Sequence, residues 1–338
     1  MIDEIKGLSL AAAFSLIGAV GAQAQDLTLT LAHGDPAEWT TSKKGAAAQV
    51  FKQLVEAETG GRITVELYDS NALGNETDML QSVQEEALSM TIVSGAFSLV
   101  CPEAAVLDIP YLFESSPEAW EVLDGEFGAE LSASCIETAN LRTLAYGENG
   151  FRNFTNSVRP ITSPADMAGM KIRVQDAPVY NQMITALGAT PTPIPWTELA
   201  TSLATGVVDG QENPVMVIWI NNLYEMQPYM TLDQHLYGTD FIVINEDIFQ
   251  GLSAEDQTIL TNAATIAGTV GRAIQNVHTA DGLSELAAAG QEIYKPTPDD
   301  IAAFREAAQG PVRDWLATQI DPVWIERLDG ALADARSE

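Results

Sequence analysis

The sequence predicts an α/β protein of two lobes, with mixed sheets flanked by helices. Three observations carry that expectation. Short runs of strand periodicity alternate with longer helical runs, and the spacing of the first strand–helix–strand unit demands a parallel crossover. The chain has 338 residues, beyond the size at which one core keeps growing, so two cores are the default. No low-complexity linker separates them. The chain must therefore cross between lobes more than once, which makes a stiff hinge around a cleft.

The elements follow in order. Leu27-Thr28-Leu29-Thr30-Leu31 alternates as a strand and ends in a polar turn at His33 to Pro36. A helix is expected over Ser42 to Thr59, stopped by Gly60-Gly61, then a strand over Ile63 to Tyr68. The unit repeats with a helix from Glu76 to Ala87 and a strand from Ser89 to Val93. Val106 to Phe113 is an apolar run broken by Pro110, and a single helix over Ser116 to Thr138 leads to a strand over Leu141 to Tyr146. A second region opens after Gly147. It holds a helical turn at Pro164 to Met167, a strand at Lys171 to Val174, and a helix from Val179 to Leu187 ended by Gly188. Pro191, Pro193 and Pro195 make an extended loop, since proline fixes φ and restricts its predecessor. Trp196 to Thr205 is helical, and Gly206 to Pro214 reads as a tight irregular connection. An apolar helix to Tyr224, strands over Met230 to Tyr237 and Phe241 to Asn245, one or two long helices from Ser253 to Gln291, and a helical acidic end complete the chain.

The charge is uneven. Sixteen Lys and Arg face 47 Asp and Glu, for a formal net charge of −31. Nucleic acid is excluded as a partner, because phosphate contacts need clustered basic residues. An anionic lipid surface is disfavoured for the same reason. Five of the sixteen cations, Arg142, Arg152, Arg159, Lys171 and Arg173, nevertheless fall in one window that holds only Glu148 and Asp166 as acids. An acidic protein that gathers its arginines has the makings of an anion site, since guanidinium pairs bidentately with carboxylate or phosphate.

Leu8 to Gly21 is apolar, and Ala22-Gln23-Ala24 supplies a small-x-small cleavage pattern, so residues 1–24 read as a secretory signal. Asp3 and Glu4 beside Lys6 depart from the usual positive start. An exported chain meets an oxidising space, where Cys101 and Cys135, the only cysteines, can pair. The other reading is two separate buried thiols.

Several residues are candidates for binding, each with a plainer alternative. Arg173, on the Lys-Ile-Arg-Val strand, either projects into a cleft or pairs with a nearby acid such as Asp209 or Glu212. Asn213, held out of the α region by Pro214, either addresses a ligand or caps a turn. Trp196 is a pocket wall or ordinary core. Arg152 follows a strand-to-loop transition, where binding residues concentrate, or is an exposed ion-paired arginine. Catalytic signals are thin. His33, His235 and His278 lack metal-ligand spacing, and no nucleophile elbow, phosphate loop or dinucleotide fingerprint occurs. Asp209 and Glu212 are the one candidate acid–base pair.

The segment from Gly150 to Pro214 resembles the solute-binding proteins of TRAP (tripartite ATP-independent periplasmic) transporters, the dicarboxylate-binding-protein family. The resemblance lies in Arg152-Asn153-Phe154-Thr155-Asn156, Pro164-Ala165-Asp166-Met167, Gly169-Met170-Lys171-Ile172-Arg173-Val174, Leu187-Gly188-Ala189 with Pro191-Thr192-Pro193, and Gly206-Val207-Val208-Asp209-Gly210-Gln211-Glu212-Asn213-Pro214. Looser matches upstream, at Leu73-Gly74-Asn75-Glu76 and Asp108-Ile109-Pro110-Tyr111-Leu112-Phe113, and downstream, at Tyr224-Glu225-Met226-Gln227, extend it over most of the chain.

The resemblance implies a periplasmic-binding-protein fold with a long lobe-spanning helix, which closes on an organic acid and delivers it to membrane permease subunits. Lobe I would be 25–150 and 239–278, lobe II 151–238 and 279–338. Arg173 would make the principal contact with the solute carboxylate, with Arg152 and Asn213 beside it and Trp196 in place of the family's usual phenylalanine. His33, Glu76 and Ser94 would tune specificity from the other lobe, and Asp176 and Tyr237 are lower-ranked candidates. No cofactor, metal or nucleotide is expected. The implied product is a periplasmic monomer that binds and does not catalyse. The rival readings are a periplasmic enzyme on the same fold, using Asp209 or Glu212, and a partner of a membrane sensor. The solute is left open among C4-dicarboxylates, sugar acids, and hydroxy or aromatic acids.

Overall fold

The computed structural model describes residues 27–337, so the expected signal segment lies outside the described residues. In chain order the elements are β1 (Leu27–His33), α1 (Lys43–Glu58), β2 (Ile63–Tyr68), α2 (Glu76–Gln84) and β3 (Met90–Val93). Two 3₁₀ turns (Gly95–Leu99, Pro102–Asp108) lead to α3 (Ser116–Asp124), α4 (Glu126–Ala139) and β4 (Leu141–Asn156). After a 3₁₀ turn at Pro164–Met167 come β5 (Lys171–Val174), α5 (Pro178–Ala186), β6 (Thr190–Pro193), α6 (Trp196–Ala204), β7 (Gly210–Pro214) and α7 (Val215–Ile220). The rest is β8 (Tyr229–Asn245), α8 (Glu246–Gln250), α9 (Ala254–Ala288), β9 (Glu292–Tyr294), α10 (Pro298–Leu316) and α11 (Val323–Ala335).

The strands join in one sheet in the order β2-β1-β3-β8-β4-β7-β5-β6, with β9 added to one end of β8. The expected mixed α/β arrangement flanked by helices thus takes the form of one continuous sheet. β1 pairs in parallel with β2 and β3, as the crossover spacing demands. β5 pairs in parallel with β6 and β7 at the other end. Between them β4 and β8 run antiparallel over their full lengths, 16 and 17 residues. The expected breaks after Tyr146 and Tyr237 do not occur. Gly147, where the second region was expected to open, pairs with Asp240 inside the ladder, which continues through Gly150 opposite Gly238 with a bulge between Glu148 and Gly150.

Three further expectations are corrected. Gly206 to Pro214 is a loop only in its first part, because Gly210–Pro214 is taken up as a strand between β4 and β5. The proline run supplies an edge strand, where a missing N–H costs least. The helix expected over Ser116 to Thr138 divides at Gly125, which serves as C-cap of α3 and N-cap of α4.

Packing follows the two ends of the sheet. Leu29, Leu31 and Val65 pack beneath α1 and the first half of α9, through Phe51, Val55, Leu260 and Ala264. Ile172 and Val174 pack against α5 and α10, through Met183, Ile184, Phe304 and Val312. The 35-residue α9 reaches both ends, from Leu260 to Leu286. Its passage over β4 requires glycine at 268, where a Cβ would lie 2.8 Å from the Tyr146 carbonyl oxygen. A disulfide joins Cys101, at the start of a 3₁₀ turn, to Cys135 of α4. No helix among the described residues is long and apolar enough to cross a membrane.

Candidate ligand-binding cleft

A cleft of about 110 Å³ opens where β4 and β8 pass from one end of the sheet to the other. One wall comes from the turn after β1, the first turn of α1, the loop into α2, and the residues after β3. The other comes from β4, β5, β7, α6 and α7. The walls touch. A Cβ added at Gly95 would lie 2.3 Å from the amide nitrogen of Gln175, so the glycine lets the opposing side chain close in.

On the second wall, β4 and β7 pair antiparallel, setting Arg152 opposite Pro214 and Asn213 opposite Asn153. Arg152 is 1% exposed, and its guanidinium is bidentate to the Glu212 carboxylate. Its Nη2 also donates to the Glu212 carbonyl oxygen at 2.7 Å and to Asn213 Oδ1 at 3.1 Å. Nη1 is buried without a hydrogen-bond partner among the described residues. Glu212 sits below the usual carboxylate range: burial works to raise it, and Arg152 with His235 outweighs that. Behind it, His235 Nε2 lies 3.3 Å from Glu212, and His235 Nδ1 lies 3.1 Å from Asp233, which accepts from the Tyr111 hydroxyl at 2.9 Å.

Arg173 is in a different state. It is 2% exposed, and its Nε donates to the Ile194 carbonyl oxygen at 2.8 Å. It makes no ion pair with a carboxylate among the described residues. Burial, with Arg152 nearby, pushes its pKa down to about 10 against the pull of Glu212. It stays charged at neutral pH. A buried cation without a counter-ion is costly, and an incoming carboxylate would relieve that cost.

On the first wall Lys43 and Lys44, both buried, stand in the first turn of α1. Lys43 Nζ is 3.0 Å from Asp240 and 3.4 Å from Asp35. Lys44 Nζ is 2.6 Å from Glu76, 3.6 Å from Asp240 and 3.0 Å from Ser94 Oγ. Ser94 donates to Asp240 at 2.6 Å, and its backbone N–H donates to both Glu76 oxygens at 3.1 Å. Asp35 is held down at about 2; burial works to raise it, and Lys43 and Lys44 overcome that.

Of the nine residues singled out from sequence, seven line the cleft: Arg173, Arg152, Asn213, Trp196, Glu76, Ser94 and Asp176. Trp196 is both wall and core, half-buried against the cluster of Leu199, Leu203 and Ile218. Two do not line it. His33 ends β1 and is buried, while the Gly34–Pro36 turn and Asn71 occupy the wall beside it. Tyr237 is a core ring between Phe113 and Phe151, with centroids 5.5 and 5.4 Å away. The acid–base pair is also taken apart. Asp209 accepts from the Lys171 N–H at 2.7 Å, away from the cleft lining, and Glu212 is committed to Arg152. Arg152, not Arg173, is thus the arginine matched by a neighbouring acid.

Sequence reasoning missed Lys43 and Lys44. A signal was present: lysines in the first turn of a helix oppose its dipole, and a cation-poor chain spending two there calls for a reason.

The chain is similar to known proteins over most of its length. The family model described as bacterial extracellular solute-binding protein, family 7 (DctP), matches residues 36–319. A solute-binding protein of Roseobacter denitrificans is 34% identical over 330 residues, 97% of this chain and 98% of that one. Its crystal structure, with bound L-galactonate, superposes with a TM-score of 0.82, covering 90% of this chain and 99% of that one. The 2,3-diketo-L-gulonate-binding periplasmic protein of Escherichia coli is 35% identical over 83% of this chain and 85% of its own length. The sugar acid binding protein of Advenella mimigardefordensis, in complex with galactonate, superposes with a TM-score of 0.86 at 30% identity, covering 92% of this chain and 99% of that one. Over almost its whole length, then, this chain belongs to the DctP family and is a solute-binding protein of the TRAP type.

Proposed function

We propose that this chain is the exported, soluble component of a TRAP uptake system, which captures a small organic acid by its carboxylate on Arg173 and hands it to a membrane permease without turning it over. One observation carries the reading: Arg173 is a buried guanidinium with no carboxylate partner among the described residues, facing a cleft whose other lining Lys and Arg side chains are matched. Arg152 Nη1 and the Asn213 amide stand beside it and complete the carboxylate seat. Trp196 and Met216 cover the solute's apolar edge. Relatives that bind galactonate and 2,3-diketo-L-gulonate support a sugar acid as the solute class.

We divide the chain into lobe I, 25–150 with 239–278, and lobe II, 151–238 with 279–338. The crossings then fall in β4, β8 and α9, the three elements that run through both ends of the sheet. Closure and binding form one equilibrium, which the solute shifts by its preference for the closed state.

A thermal-shift screen of the purified protein against a library of organic acids tests the reading. A true solute at 100 times its Kd adds about 2.7 kcal/mol of stability. The result that contradicts it is stabilisation by uncharged compounds alone, or conversion of a bound acid into product.

A further inference from the structure

Three of the four Lys and Arg side chains lining the cleft are already matched by acids, and this limits what the far end of the solute can be. On the first wall two lysines share three carboxylates, Asp35, Glu76 and Asp240, at distances of 2.6–3.6 Å. The arrangement is locked by Ser94, which binds Lys44, Glu76 and Asp240 at once. On the second wall Arg152 is matched by Glu212, leaving Arg173 as the one lining Lys or Arg without an acidic partner among the described residues. Asp176 also lines the cleft, and no described cation pairs with it.

A solute with one carboxylate satisfies Arg173. A second carboxylate at the opposite end would meet no unmatched cation. It would lie against Glu76 and Asp35, and like charges at close range in a dry site are repelled strongly. Asp35, held at about 2, stays ionised at any physiological pH and cannot yield by taking a proton. Hydroxyl groups suit the same wall. They donate to the Glu76 and Asp35 oxygens and accept from Lys43 and from the amides of Asn71 and Gln175, which all reach the lining. Specificity of this kind comes from a repulsive element as much as from an attractive one.

We infer that the cleft selects monocarboxylic polyhydroxy acids, with Glu76 and Asp35 as the specificity-determining residues that reject a second carboxylate. The inference rests on the reading that Arg173 seats the carboxylate, and it separates polyhydroxy monoacids from dicarboxylates.

The test is calorimetric titration of the purified protein with matched pairs of acids: threonate with tartrate, xylonate with xylarate, galactonate with galactarate. Within a pair the carbon skeleton is shared, and only the terminal hydroxymethyl or carboxylate differs. In every pair that binds, the monoacid is expected to win by at least about tenfold. Glu76→Gln keeps the size and one hydrogen-bonding oxygen and is expected to narrow that gap several-fold by strengthening the diacid. Asp35→Asn is an independent second variant should Glu76→Gln fail to fold. A diacid that binds as well as its monoacid overturns the inference, as does a gap unchanged in both variants. If a diacid wins while Arg173→Ala still abolishes its binding, the specificity inference falls and the carboxylate seat stands. If no member of either series binds, both fall.

Discussion

The arginine wall and the lysine wall of the cleft each bury two cations, yet only one of those four side chains lacks an acidic partner among the described residues. Lys43 and Lys44 are tied into a lattice with Asp35, Glu76, Asp240 and Ser94. Arg152 is equally committed to Glu212. Arg173 has a backbone carbonyl and no acidic partner among the described residues. Burying cations therefore does not by itself make an anion site. What matters is a cation left in surplus after local pairs are formed, because only that one gains a partner when the solute arrives.

The sharpest way to break this comparison is to disturb a matched pair and the unmatched cation separately. Glu212→Gln leaves Arg152 buried without a counter-charge, and the variant should lose ~3–5 kcal/mol of folding stability, measured by denaturant unfolding. Arg173→Ala should do the opposite: a loss of ~2–5 kcal/mol in binding, with an unliganded protein that melts no lower than wild type. Should the two variants show the same pattern, the distinction between matched and surplus cations is wrong.

His235 gives a smaller effect that sharpens the matched side. Its pKa rises from 6.5 to about 8, burial working against the shift and the flanking Asp233 and Glu212 outweighing it. A raised cationic pKa contributes stability that is complete below 6.5 and is lost as pH rises through 8. The loss is about 2 kcal/mol. Melting temperatures measured from pH 6 to 9 should fall across that window in wild type and flatten in His235→Gln. The smallest effect concerns salt. The net charge of −31 repels an acid at long range, so added salt should speed association. The buried Arg173 contact is little screened, so dissociation, followed by stopped flow, should hardly change.

Much of this was legible in the chain itself, and the failures have physical causes. β2 and β5 carry the bounds that periodicity assigns them. β7 was hidden because Gly-Gln-Glu-Asn-Pro has no apolar alternation; it is a strand only because β4 and β5 offer it partners on both sides. The unbroken length of β4 and β8 was hidden by glycines that the ladder carries through without a break, Gly147 opposite Asp240 and Gly150 opposite Gly238. At the site, the arginine cluster was visible as a local excess of positive charge. Which arginine would take Glu212 was not, because the answer depends on the antiparallel register that sets Phe154 opposite Glu212 and Arg152 opposite Pro214. The lysine network is assembled from five separate segments, around residues 35, 43–44, 76, 94 and 240, and nothing in linear spacing announces it. His33 and Tyr237 were placed near the cleft by analogy and lie in the packed interior instead.

The most direct test of the surplus-cation account is a paired titration of wild type and Arg173→Ala with a sugar acid and with its uncharged methyl ester. Wild type should bind the acid far more tightly than the ester, and the variant should bind both weakly and alike. A variant that binds the acid within about threefold of wild type would contradict the account, because the carboxylate would then be held by some other group.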